Sequence, residues 1–293
     1  MSAPWPEGVT GVDRAVAIAR LDAASSDGST WRDLSLDGTV VRAALGALGI
    51  ALALGAWELA VDTGVLPEVD VPRASSVIGE LWRLLGTGRF WTVIGETASG
   101  AASGLAIAMA VGIALGVALG ASEVARRATG PTVEFLRPVP GIALVPVAAV
   151  IWGPARGSDV FLVAFGCVWP LLTQTMHGVR NVDDVALTTA RSLRLGPLSR
   201  VRWIYVPGSL PYILTGLRIA VPIALIASIG AEIIIGSPGI GTEIRRAQTS
   251  LDLPRMYALV IAAGMLGLAA TLVTGALERR SLRWHQSQRG GTR

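Results

Sequence analysis

The chain has 293 residues, of which 52% are hydrophobic and 16% charged, and its mean hydropathy is +0.56. A water-soluble domain of this size carries roughly 25% charged residues to solvate its surface, so the composition excludes an ordinary soluble globule. All 25 cationic residues are Arg, standing mainly at the ends of apolar runs as topology signals do, so the basic balance does not point to nucleic acid.

Residues 1–41 hold six acidic residues and three Arg among scattered Pro, Gly and Ser, with no apolar core of signal-peptide length. They read as a largely mobile cytoplasmic tail with a short amphipathic stretch at 12–21. Residues 42–284 read as a transmembrane domain and 285–293 as a second cytoplasmic tail.

Crossing the hydrocarbon core takes about 20 apolar residues in a helix that satisfies its own backbone. Six segments meet or approach that length, at 43–61, 98–120, 132–153, 160–177, 211–236 and 256–277. The predicted fold is therefore all-α and polytopic. The third segment contains Pro138, Pro140 and Pro146, which predicts a break near its start. Residues 75–85 are too charged to span and are expected to lie at the interface. In the second segment Gly100, Gly104, Ala108, Gly112, Gly116 and Gly120 recur every fourth residue. Such a stripe admits another helix at close range, as static packing or as a sliding surface.

Arg counts between the segments orient the chain. With the N-terminus inside, the cytoplasmic segments hold 16 Arg and the outer ones seven, which predicts both termini in the cytoplasm.

The longest cytoplasmic connection, 180–210, carries the most information. Asn181, Asp183 and Asp184 are helix-capping types, and Val182, Ala186, Ala190 and Leu193 then recur near the helical period. Gly196 and Pro197 are expected to stop this helix, and a second short helix is expected from 198 to 205, ending at Pro207. The result is a helix-turn-helix projection with an apolar stripe, which docks either on a partner protein or on anionic lipid.

These residues resemble the binding-protein-dependent permeases of type I ABC importers, in particular the sulfonate, taurine and nitrate branch. The loop of that family carries EAAxxxG followed nine residues later by I-x-L-P. Aligned on Pro207, Ile204 takes the isoleucine position and Ala190 that of the second alanine. Thr188 replaces the glutamate, Thr189 the first alanine and Arg194 the glycine, with Gly196 two positions on, as if the turn had moved by two residues. Further strings that resemble the family are VPRASSVIGELWRLL, FLRPVPGIALVPVAAVIWG, LPYILTGLRIAV and GAEIIIGSPGIGTEIRRAQ.

The resemblance implies a plasma-membrane permease working with a second permease copy, two ATPase subunits and an extracytoplasmic solute-binding protein. It implies a small anionic cargo such as a sulfonate, taurine or nitrate. It also implies no cofactor on this chain, with ATP and Mg held by the ATPase. The sequence agrees on one point, since a chain without Lys cannot contain the phosphate-loop Gly-Lys-Ser/Thr. The expected ATPase-coupling residues are Val182, Ala186, Thr188, Ala190, Arg191, Leu193, Gly196, Ile204 and Pro207.

Ionisable and polar groups within apolar spans are costly and mark function by default. On that ground Glu232 and Arg137, Arg218, Trp169, Thr173 and Gln174 are candidates for a path or gate, and the resemblance adds Gly239 and Gly241 at an extracytoplasmic gate. Snorkelling accounts equally for both Arg residues, an ion pair of Glu134 with Arg137 for that pair, and interhelical hydrogen bonding for the fourth-span polar groups. Cys167 is the single cysteine, and His177 and His285 lack metal-ligand neighbours. The alternative from another class is an ATP-independent secondary carrier or channel.

Overall fold

A computed structural model describes residues 39–281, with the side chains of Thr39, Val40 and Arg42 omitted. The tails, with the stretch at 12–21 and His285, lie outside the described residues. The chain divides after Ala60 into two units. The described part of the first is helix α1, Thr39–Asp62, which continues two residues past the boundary and contains the apolar run Ala43–Asp62.

The second unit begins with α2, Ala74–Leu85, whose Ala74, Val77 and Leu84 are buried while Trp82 is exposed. Thr87 caps α3, Gly88–Ala121, by accepting the Phe90 N–H. Ser122 caps α4, Glu123–Leu136, in the same way through Ala125. Pro138 and Pro140 lack N–H donors and push the residues before them out of the helical region, and the chain breaks there as expected. A 3-10 turn, Gly141–Leu144, leads into α5, Val145–Trp152, and the two halves meet at 82°. Gly153, with φ 64° and ψ -159°, closes α5 in a positive-φ conformation open to glycine.

Helix α6 is Arg156–Arg180 and α7 is Asp184–Ser192. A single helical turn, α8 at Pro197–Arg200, passes through a π-helical segment, Val201–Tyr205, into α9, Val206–Ile235. Helices α10, Ile240–Thr249, and α11, Leu253–Ser281, complete its described part. Among the described residues, five helices are long and apolar enough to cross a membrane, or six when the bent pair counts as one span.

The core forms where α6 lies between α3 and α9. Ala101 and Ala108 of α3, Val163, Cys167 and Leu171 of α6, and Ala220, Ala224 and Leu225 of α9 make one buried cluster. The small-residue stripe of α3 is occupied by α6. A Cβ added at Gly104 would stand 2.5 Å from the Val163 Cβ, and one at Gly116 would stand 2.6 Å from that of Thr175. Such backbone proximity holds membrane helices together where lipid offers no hydrophobic drive between them. Cys167 is fully buried, and its thiol donates to the Ala220 carbonyl at 3.3 Å.

Candidate functional site

Glu232 sits near the end of α9 with no exposed surface. Its carboxylate accepts three hydrogen bonds: Thr97 Oγ1 at 3.0 Å, Ser228 Oγ at 3.3 Å and the Gly241 N–H at 2.8 Å. The Gly241 N–H lies in the first turn of α10, where unpaired amides and the helix dipole favour a negative charge. Thr97 is bonded on both sides, since its oxygen also accepts the Ile240 N–H at 2.9 Å. Thr242 Oγ1 bonds to the Glu232 and Ser237 carbonyls, and Ser237 Oγ donates to Asp159 Oδ1 at 2.9 Å.

The glycines of this segment leave room for the carboxylate. A Cβ at Gly239 would come within 2.1 Å of the Glu232 carboxyl group, and one at Gly241 within 2.5 Å of the Ile229 carbonyl oxygen. Gly236, at φ 86°, ends α9 and turns the chain back toward α10. Glu232, Gly239 and Gly241 are therefore brought together. Thr97, Asp159, Ser228, Ser237 and Thr242 were not among the sequence candidates. Asp159 stands one residue outside the predicted fourth span, although a buried carboxylate at a span end is itself a signal.

Glu243, in the next turn of α10, takes three guanidiniums: Arg89 at 3.1 Å, Arg246 at 2.8 Å and Arg255 at 3.1 Å. This ionic knot ties α3, α10 and α11 together. Nearby on α2, the Arg83 guanidinium bonded to Glu80 holds that carboxyl below its ordinary range.

The loop between α6 and α9 differs from expectation in three ways. First, three residues of the apolar stripe face inward, while the fourth, Leu193, faces out. Ala190 is 2% exposed, Val182 and Ala186 are half-buried, and Val182 packs on Gly208. The periodicity reveals an amphipathic helix without naming the body that covers its face, and here the chain covers it. The outward face carries Val185, Thr188 and Leu193, with Asp184, Thr189 and Ser192, around a shallow depression. Val185 is 70% and Leu193 68% exposed.

Second, the turn has not moved to Gly196. Asp183 caps α7 through the Val185 N–H at 2.9 Å. The helix closes at Arg194, whose φ of 51° is left-handed, while Gly196 has an extended φ of -64°. The Leu195 N–H reaches the Ala190 carbonyl and the Arg194 N–H that of Arg191, which is the Schellman closure. Arginine thus adopts the conformation that glycine takes without strain. Third, Pro207 does not end the second helix. The π segment hands the Val206 N–H to the Val201 carbonyl, and the helix runs unbroken from Pro197 to Ile235. Arg191 is exposed and Ile204 half-buried.

The remaining candidates scatter. Arg137 ends α4 and shares a cavity with Thr173, whose hydroxyl donates to the Trp169 carbonyl of its own helix at 2.9 Å. Arg137 and Glu134 line that cavity without forming the expected ion pair. Trp169 stacks edge-on against Phe165 at 5.6 Å. Gln174 packs on α9 at Gly216, and Arg218 reaches Glu278 at 3.6 Å. None of these touches the Glu232 cluster. Among the described residues no group of His, Cys, Asp and Glu forms a metal site.

Residues 102–283 match the family model described as "Binding-protein-dependent transport system inner membrane component". The chain is 33% identical over 229 residues to SsuC of Escherichia coli (strain K12), a permease protein assigned to aliphatic sulfonates transport. That match covers 78% of this chain and 87% of the other. The nitrate import permease protein NrtB of Leptolyngbya laminosa is 29% identical, with 83% and 88% covered. Among solved structures, an inward-facing form of the MetNI methionine ABC transporter aligns with a TM-score of 0.57 at 16% identity. It covers 66% of this chain and 95% of that one, a likeness of fold.

Proposed function

Since the chain belongs to the family of binding-protein-dependent transport system inner membrane components, we propose that it carries a small anion inward, driven by an ATPase docked on the loop between α6 and α9. The chain is the permease subunit of a binding-protein-dependent ABC importer, a multi-pass protein of the inner membrane, and is not itself the ATPase. Membership implies an ATPase subunit and a solute-binding protein as partners.

The cargo reading rests on relatives named for sulfonates, nitrate and bicarbonate, whose shared chemistry is a small oxyanion. Sulfonate, taurine or nitrate fits this reading. The permease works as a pair of identical chains, with both termini in the cytoplasm, and ATP with Mg is held by two copies of the ATPase.

The observation that carries the docking reading is the outward face of α7. Val185 and Leu193 stand exposed at a shallow depression closed by a Schellman turn, and Leu198 and Trp203 continue the apolar surface at 80% and 68% exposure. A surface of this kind fits a groove whose rim supplies carboxylates to Arg191 and Arg202. Motion received there is carried by the unbroken helix to Glu232, the anchor of the extracytoplasmic gate formed with Gly239 and Gly241. Coupling of this kind requires an element with two arrangements, biased from both ends.

The test is co-purification of the solubilised full chain with its ATPase and binding protein, followed by ATPase stimulation by the loaded binding protein. An ATPase that co-purifies and is stimulated only when the binding protein carries an oxyanion supports the proposal. Uptake into vesicles lacking any ATPase overturns it.

A further inference from the structure

A cavity of about 410 Å³ opens between the end of α3, helix α4 and the last turns of α6. Arg126, Arg127, Arg137 and Arg180 line it, with Glu134 as the acidic group in its wall and His177 at its edge. Glu123 holds Arg127 at 2.5 Å and Arg126 at a loose 3.8 Å. Arg137, Arg180 and Glu134 enter no side-chain ion pair or hydrogen bond among the described residues. Four guanidiniums therefore answer two carboxylates, and two of the guanidiniums are uncommitted.

A guanidinium presents a planar fork of donors matched to an oxyanion, and it keeps its charge at any physiological pH. Arg137 is the C-cap of α4 and Arg180 ends α6, so two separate helices deliver their forks to one space. The rest of the wall is amphiphilic, with Leu119 and Met176 beside Thr129 and Thr173. Outside the cavity, α4 exposes Val124 and Phe135 at 80% and 75%, the pattern of a helix lying at a membrane surface.

We propose that this recess is a binding site for a phosphate-type oxyanion, supplied by the headgroup of an anionic phospholipid or free in solution. On the orientation proposed above it lies at the cytoplasmic boundary of the bilayer, where basic pockets between helices hold acidic headgroups. The anion chemistry itself does not depend on that orientation.

The test uses the full transporter purified with its ATPase. Retention of phosphatidylglycerol is read by native mass spectrometry from nanodiscs of mixed phosphatidylcholine and phosphatidylglycerol, and inorganic phosphate is titrated calorimetrically in detergent. Retained phosphatidylglycerol assigns the site to lipid, and phosphate binding without lipid preference assigns it to a free anion. In either arm the double variant Arg137→Gln/Arg180→Gln weakens binding by roughly tenfold or more, the loss expected for two charge-assisted contacts. Arg137→Lys/Arg180→Lys, which keeps the charge and loses the fork, recovers part of it. Absence of both kinds of binding, a glutamine variant that binds as the wild type does, or a lysine variant no better than the glutamine one overturns the proposal. Both readouts measure binding without transport, so failure here and failure of the importer reading give different results.

Discussion

Thr97 and Glu232, 135 residues apart in the chain, are joined by a hydrogen bond of 3.0 Å, and the same threonine oxygen accepts the Ile240 N–H at 2.9 Å. One hydroxyl thus ties α3 to the end of α9 and to the start of α10. Replacing Thr97 by Val keeps the shape and removes both bonds, leaving a buried amide and a buried carboxylate each short of a partner. The expected loss is about 1–3 kcal/mol, read as a lower Tm of the purified permease, with Thr97→Ser close to wild type. A Thr97→Val protein as stable as the parent would show that this bond contributes nothing.

Glu232→Gln tests the other end. Three donors converge on the carboxylate, and an amide offers one acceptor oxygen and turns its NH2 toward at least one donor. The expected outcome is lost stimulation of the ATPase by the loaded binding protein, while membrane insertion and basal ATPase stay near wild type. Undiminished stimulation would reduce Glu232 to a packing group.

The contact between α3 and α6 yields a paired prediction. Gly104→Val drives a branched side chain into Val163 and the Val160 carbonyl, and overpacking of this kind costs about 1–3 kcal/mol or more. Gly79, inside α2, has nothing within 4 Å of an added Cβ, so Gly79→Ala is neutral or stabilises by roughly 0.5–1 kcal/mol. Thermal unfolding of the two variants side by side checks the contrast.

The α7 loop separates two kinds of residue. Val185→Asp and Leu193→Asp change exposed positions and are expected to abolish ATPase co-purification while leaving the Tm nearly unchanged. Ala190→Asp places a carboxylate in a buried position and is expected to lower the Tm itself. Arg194→Gly relieves a left-handed arginine, worth about 1 kcal/mol, and limited proteolysis of the loop should slow accordingly. Gly196→Ala, at an ordinary φ, leaves proteolysis unchanged.

Acid titration has a signed expectation at α2. The Glu80 carboxyl is held below the ordinary carboxylate range, first by its hydrogen bond with Arg83. A lowered folded value means that the stabilisation is complete above the unfolded pKa and is lost as pH falls through the folded one. Glu80→Gln removes that slope below about pH 4.5, and an unaltered acid limb in the variant would exclude the pair as its source.

Much of this architecture was legible in the residues. Apolar runs near 20 residues long mark the spans, because a helix crossing lipid needs that length of apolar surface, and Pro138 with Pro140 marks the bend in the third. The loop helix was legible from its period and from its Asp183 cap. Its facing was not, because Val182, Ala186 and Ala190 show an apolar side without saying whether the chain or a partner covers it. Arg194 gives no sign of a left-handed backbone, a conformation more often met at glycine. In the cluster at the end of α9, Glu232 stood out as a charge in an apolar run. Thr97 and Ser228 did not, because a hydroxyl in a membrane helix usually bonds back to its own carbonyls, and only the packing of three helices aims these two at one carboxylate.

Between Pro197 and Ile235 the chain makes 39 residues of helix without a break. At 1.5 Å per residue this is a strut of about 58 Å, nearly twice the roughly 30 Å of hydrocarbon it has to traverse. Either it leans steeply or much of it stands clear of the bilayer. In both cases the wider-wound coil at Val201–Tyr205, with Pro211 and Pro222 inside the helix, gives such a strut its places to bend between the Pro197 tip and the Glu232 tip.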